Sequence, residues 1–231
     1  MDFFTDSIYS ALLLIAGFDR ELMVIVLVSL RVSAAAVCLA AVIGIPAGFV
    51  IAVNEFWGRR AVITVLNTLL ALPTVVVGLF VYAFISRRGI FGPLDLLYTP
   101  GAIIVGQMIL VLPIVATFTI SAVSRIDSRY RKTALTLGAS PLLTGMVILR
   151  EARFGIMAAV IGAFGRAISE VGISMMLGGN IKGFTRTMTT AMALEYDKGA
   201  FTLAIALGIV LLTVSLLVNA LLNYFQGRVS V

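Results

Sequence analysis

Three residues carry the charge that lies within the long apolar runs of this sequence: Arg31, Arg166 and Glu170. Arg166 and Glu170 stand four apart, a spacing that brings two side chains together on one helix face. The pair either neutralises itself for structural reasons or belongs to a polar path. The small residues around it, Gly162, Ala163, Gly165 and Ala167, favour a polar interior face. Other chemistry is thinly provided for. The chain has no histidine and a single cysteine, Cys38, set among apolar neighbours. A zinc or haem site would therefore lack its usual ligands, an internal disulfide is impossible, and Cys38 reads as packing. Glu170 is the only carboxylate in an apolar run, so paired acid–base catalysis lacks a partner. The nearest thing to a phosphate loop, Gly178–Gly183, lacks the Gly-Lys-Ser/Thr ending that would hold a nucleotide.

The elements that must hold these residues are dictated by composition. Of 231 residues 61% are hydrophobic and 12% charged, whereas a soluble domain carries about 25% charged residues. Too little polar material exists to cover a water-exposed globule, which excludes a soluble enzyme, a disordered chain and a secreted disulfide scaffold. An integral membrane protein of helices remains. The formal charge of +6 is then read as loop cations that set orientation and meet anionic lipid, not nucleic acid.

Five apolar runs are long enough to span a bilayer: Leu22–Val53, Ala61–Ile85, Ala102–Val123, Phe154–Leu177 and Phe201–Phe225. The first exceeds what one crossing needs, so it tilts and protrudes or its membrane part begins near Arg31. Before it, residues 1–21 carry Asp2, Asp6 and Asp19 in place of the cations of a signal peptide; a short interfacial helix is expected there. One set of loops holds nine cations: Arg59, Arg60, Arg125, Arg129, Arg131, Lys132, Arg150, Arg153 and Arg228. The opposite set holds six: Arg20, Arg87, Arg88, Lys182, Arg186 and Lys198. The positive-inside rule makes the first set cytoplasmic and the N-terminus external.

Prolines mark the second and third runs at similar depth, Pro73 followed by Thr74, and Pro113. Each removes a backbone hydrogen bond and bends a helix. They read either as a movable pair lining a pathway or as ordinary membrane-helix prolines. Gly44 and Gly48 give the first run a spacing that admits a close helix neighbour. Gly178-Gly179-Asn180 forms a turn beyond the fourth run, followed by Lys182, Arg186 and the threonines of Thr185–Thr190. This stretch is either a solvated loop or a set of amides, hydroxyls and cations able to pass on an oxyanion at the outer mouth.

Residues 124–153 form the one substantial polar stretch. They read as a helix, a break at Gly138-Ala139-Ser140-Pro141, and a second helix with Ser140 as its N-cap. A short, exposed, amphipathic element of this kind suits docking into a groove of another protein. Ala134, Gly138 and Ile148 fall at the spacings found in the cytoplasmic coupling loop of ABC-importer permeases, which the segment resembles. Lys132 and Thr133 stand where that signature has Glu and Ala, and Arg150-Glu151 replaces its closing Leu-Pro. Ser29-Leu-Arg-Val-Ser33 with the glycines at 44 and 48 resembles the first core span of the same family. Ala71-Leu-Pro73-Thr-Val-Val-Val-Gly78 resembles its molybdate and tungstate branch. Gly165-Arg-Ala-Ile-Ser-Glu170-Val-Gly172, Gly178-Gly-Asn180-Ile and Thr185-Arg-Thr-Met-Thr-Thr190-Ala resemble tungstate permeases in particular.

The resemblance implies a MetI-like type I permease, an all-α polytopic bundle in the plasma (inner) membrane of a prokaryote. It implies partners: a second copy of the chain, cytoplasmic ATP-binding subunits that hold the ATP and Mg, and an extracytoplasmic binding protein that delivers tungstate. It assigns Lys132, Thr133, Ala134, Gly138, Ala139, Ser140 and Ile148 to the coupling loop. The pathway and gate residues expected are Pro73, Thr74, Pro113, Arg166, Glu170, Gly179 and Asn180. No cofactor is expected in the chain itself. Molybdate, sulfate and phosphate are the alternative substrates. A passive channel or secondary transporter is the rival class, disfavoured by the scarcity of intramembrane ionisable groups.

Overall fold

The computed structural model describes residues 2–227; Arg228, one of the nine cations above, lies outside them. The chain order is α1 (Asp2–Ala16), α2 (Arg20–Val53), α3 (Arg59–Leu70), α4 (Thr74–Ile85), a 3-10 turn (Gly92–Leu94), α5 (Pro100–Ser124), α6 (Ser128–Thr136), α7 (Pro141–Ile168), α8 (Gly172–Gly178), α9 (Met188–Asp197) and α10 (Phe201–Gly227). Helix starts follow local chemistry. Asp19 accepts a hydrogen bond from Leu22 N at 3.0 Å and caps α2. Asp127 caps α6 through Arg129 N at 2.8 Å. Ser140 caps α7 through Leu143 N, with Pro141 in the first turn where its missing N–H costs nothing.

Three helices, α2, α5 and α10, are long and apolar enough to cross a membrane, and five crossings result if each of two bent pairs is one span. The five apolar runs are thus all helical, but two are broken. The run Ala61–Ile85 is not one kinked span: α3 and α4 meet at 102°. Pro73 sits at the break with extended backbone (φ −62°, ψ 131°), and a residue that precedes proline is itself pushed out of the helical region. Pro113 behaves differently, because it lies buried within the continuous α5. The fourth run breaks too, α7 giving way to α8 with a 60° bend.

The core forms where α2 and α5 cross. A Cβ on Gly44 would come within 3.1 Å of Val115, and one on Gly48 within 2.6 Å of the Ala116 carbonyl oxygen. The small-residue spacing in α2 therefore serves a contact within the chain. Val37, Ala40, Val111, Val115, Ala163 and Ala167 fill the central core. A second core joins α1, α2, α9 and α10 through Ala11, Leu22, Ile25, Met188 and Leu207. The N-terminal segment is helical as expected, and it packs against α10. Outward-facing apolar side chains such as Val42 and Leu212 are left bare, as lipid-facing positions require.

Candidate functional site

The two helix breaks meet. Glu170 lies in the gap between α7 and α8, 3% exposed, and its Oε2 is 2.7 Å from Arg166 Nη1. Its other oxygen, Oε1, accepts a hydrogen bond from Ile173 N at 3.2 Å. One carboxylate thus holds the last turn of α7 and supplies a partner to an otherwise orphaned N–H of α8. The backbone oxygen of Glu170 accepts from Thr189 Oγ1 at 2.7 Å, which ties the break to α9. A Cβ on Gly172 would lie 3.2 Å from Thr74 Oγ1 and 3.4 Å from Glu170 Oε1. The first turn of α4 therefore abuts the same joint.

Gln107 of α5 completes the cluster from the opposite side. Its Nε2 donates to the Ala167 carbonyl at 3.1 Å and to Ser174 Oγ at 3.4 Å. Both helices that flank the break are thereby fastened to α5. Small residues let α8 settle so closely: a Cβ on Gly78 would be 2.9 Å from Met176 Sδ, and one on Gly106 2.5 Å from Ile173 Cγ2. Chemically the joint offers a permanently charged guanidinium, with the Arg166 side chain 38% exposed. It can hold an anion or a polar partner.

The residues expected at a gate divide into groups. Arg166 and Glu170 pair, and Thr74, which follows Pro73, abuts Gly172 beside that pair. Pro113 lies six residues beyond Gln107 on α5, about 9 Å along the axis. Gly179 and Asn180 stand at the far end of α8, both in left-handed backbone (φ 68° and 51°). There Asn180 Nδ2 donates to the Thr190 carbonyl at 3.3 Å, and Tyr98 packs against Gly179.

The threonine stretch is neither a solvated loop nor an exposed set of hydroxyls. Thr185, Thr187, Thr189 and Thr190 are all buried. Thr187 and Thr190 form a reciprocal cap at the start of α9, and Thr185 Oγ1 donates to the Gly178 carbonyl. Alternation with apolar residues hid this helix start. Gln107, Ser174 and Thr189 were missed as members of the joint. For Gln107 the signal existed, since it is the one amide in the run Ala102–Val123.

At the other end of α7, the segment 124–153 folds as the sequence indicates. Gly138 ends α6 in left-handed backbone (φ +78°), with Gly138 N donating to the Leu135 carbonyl and Ala139 N to the Ala134 carbonyl, each at 3.0 Å. This double closure is a helix C-cap that favours glycine. Ala134 and Ile148 are buried, whereas Lys132, Thr133, Gly138 and Ser140 face outward. Residues 44–231 match the family model described as the binding-protein-dependent transport system inner membrane component.

The chain belongs to that family.

Relatives of this permease component agree. It is 43% identical over 206 residues to a probable anion ABC transporter permease protein of Haloferax volcanii, covering 87% of this chain and 89% of the relative. It is 38% identical to the tungstate uptake system permease protein TupB of Peptoclostridium acidaminophilum, covering 98% and 99%. Its fold matches a chain of the inward-facing MetNI methionine ABC transporter with a TM-score of 0.72 at 18% identity, covering 90% of this chain and 96% of that one. The permease is thus a multi-pass inner-membrane protein with a MetI-like helical fold. In it, α7 runs unbroken from the exposed turn at Ser140 to the ion pair at Arg166. The second half of the polar segment, from Pro141, and the fourth span, read separately in the sequence, are one helix.

Proposed function

We propose that this permease forms the membrane pathway of an ATP-driven tungstate importer. The observation that carries the reading is likeness to a tungstate uptake permease over nearly the whole of both chains. Two copies enclose the pathway. Cytoplasmic ATP-binding subunits seat against Lys132–Ser140 and supply ATP and Mg, and an extracytoplasmic protein delivers the oxyanion. The N-terminus is external and residues 124–153 are cytoplasmic, in keeping with the balance of loop cations.

Alternating access is the mode of action that this reading takes. Nucleotide-driven movement of the seated turn at Gly138–Pro141 enters α7 directly and reaches the joint at Arg166 and Glu170. The half-helices α4 and α8 shift there together, Thr74 and Gly172 being neighbours. Arg166 offers the passing anion a transient counter-charge. Glu170 offsets that charge in part, so that binding stays weak enough for release. The bound subunits shift the inward and outward states only through their different affinities for the two.

The test is uptake of radiolabelled tungstate into proteoliposomes that hold the permease, its ATP-binding subunit and its binding protein. ATP-dependent uptake that excess molybdate competes for less well than tungstate supports the reading. Uptake by the permease alone would overturn it in favour of a channel or secondary carrier.

A further inference from the structure

Arg87 and Arg88 follow the end of α4 and take no part in the joint at Glu170. With Tyr82, Ser86, Asp95 and Tyr98 they line a cavity of about 710 Å³ beside the start of α5. Arg87, Arg88 and Asp95 are exposed, and none of them has an ion pair among the described residues, not even with one another. The loop that carries them is fixed. Phe91 N donates to the Phe84 carbonyl at 2.9 Å, and Tyr98 N to the Leu177 carbonyl at 2.8 Å. Asp95 and Tyr98 both hold left-handed backbone (φ 45° and 63°), which a residue other than glycine keeps only where its surroundings impose it. An ordered loop thus sets three unpaired charges and two phenols around one space.

The cavity sits at the depth of lipid headgroups. The 25 residues of α5 measure about 37 Å against a hydrocarbon core of about 30 Å, so the start of that helix lies close to the core boundary. Tyrosines gather at this depth and arginines snorkel to it. Ile90 (78% exposed) and Leu94 (61% exposed) are bare in the same loop, and lipid covers such side chains better than water does. An apolar track leads away from the cavity. Val75, Leu79 and Tyr82 share one face of α4 at spacings of four and three, all of them exposed. Tyr82 also lines the cavity, so the track begins there.

We infer that this cavity binds the headgroup of a singly anionic phospholipid of the phosphatidylglycerol kind, with an acyl chain laid along Tyr82, Leu79 and Val75. Arg87 and Arg88 pair with the phosphodiester through charge-assisted hydrogen bonds. Two arginines beside Asp95 leave one positive charge, which the lipid's single negative charge matches. Asp95 accepts from the glycerol hydroxyls, which phosphatidylcholine lacks. Phosphatidylethanolamine offers Asp95 an ammonium but brings no net negative charge. The inference needs only a membrane-embedded chain and stands apart from the importer reading.

The test is native mass spectrometry of the delipidated permease in detergent, mixed with equal amounts of phosphatidylglycerol, phosphatidylethanolamine and phosphatidylcholine. The site variant is the double Arg87→Gln, Arg88→Gln. The control is the double Arg129→Gln, Arg131→Gln, which removes the same charge beyond the other end of α5. Both are checked for unchanged thermal unfolding. The wild type is expected to retain phosphatidylglycerol at least about tenfold better than phosphatidylcholine. The site variant is expected to lose this preference and the control to keep it. Equal retention of the three lipids by the wild type overturns the proposal, as does equal retention of phosphatidylglycerol by wild type and site variant. Equal loss in both double variants means attraction to diffuse surface charge and overturns it too. Displacement of the lipid by excess glycerol phosphate assigns the cavity to a soluble anion and overturns the acyl-chain track.

Discussion

Glu170 Oε1 accepts the Ile173 N–H while Glu170 Oε2 pairs with Arg166, so a single carboxylate is shared by the end of one helix and the start of the next. The bend between α7 and α8 is held at this point by charge, and neutralising either partner loosens it.

Glu170→Ala removes the ion pair and the contact to Ile173 together, leaving a cation and a buried N–H without partners. A loss of about 1–3 kcal/mol is expected, discounted from the cost of breaking a fully buried pair because Arg166 is partly exposed. Glu170→Gln can keep the contact to Ile173 and loses less. In a double-mutant cycle with Arg166→Ala, thermal unfolding in detergent is expected to be less than additive. Strict additivity would mean that the two residues act independently.

Gly106→Ala places a methyl group where Ile173 and Leu177 already stand, 2.5 and 2.6 Å away. Overpacking of about 1–3 kcal/mol is expected. Truncation at Ile173→Ala in the same chain makes room and recovers part of it. Unchanged unfolding of the single variant would show that α8 yields freely.

Glu21 receives Lys182 at 2.6 Å and Arg186 at 3.5 Å, so the start of α2 is strapped to the loop before α9. Glu21→Gln releases both cations. Faster amide hydrogen exchange across residues 179–186 is expected, with only about 0.2–1 kcal/mol lost overall because the Lys182 pair is largely in solvent. High salt applied to the wild type should give a smaller change in the same direction. No change in exchange would assign the loop's order to the buried threonines alone.

Gly138→Ala meets no steric obstacle, since nothing lies within 4 Å of the added methyl. The penalty is conformational, about 1–2 kcal/mol for left-handed backbone, and Gly138→Asn should recover part of it. Equal stability of alanine and glycine would mean the cap is not held. ATP-driven uptake is expected to fall with the alanine variant more than with asparagine.

Local and periodic signals account for what could be read directly. The apolar runs specify their helices, and Ser140-Pro141 specifies where α7 begins, because caps and hydropathy are written within a few residues. The difference between Pro73 and Pro113 is not local. Both lack an N–H, but Pro113 is buried within a continuous helix packed against α2 and α7, while α3 has no buried residue to hold it in line with α4. Arg166 and Glu170 were legible as a pair from their spacing. The contribution of Gln107, sixty positions from the carbonyl of Ala167, depends on how α5 meets α7, which no short window contains.

The unbroken length of α7 also sets a mechanical ratio. Twenty-five residues separate Pro141 from Arg166, an arm of about 37 Å. If the helix pivots by about 10° around its capped end, the far end sweeps roughly 6 Å and carries the Arg166–Glu170 pair with it, Glu170 lying two residues past that end. Phe49 lies against Gly145 close to the pivot, and Ala122 lies against Gly155 past the middle of the arm. Gly162 and Gly165 face open space, but Ala163 and Ala167 beside them are buried in the central core and Gln107 holds the Ala167 carbonyl, so the distal arm carries α5 with it. A modest rotation at one surface thus becomes an ångström-scale stroke deep in the bilayer.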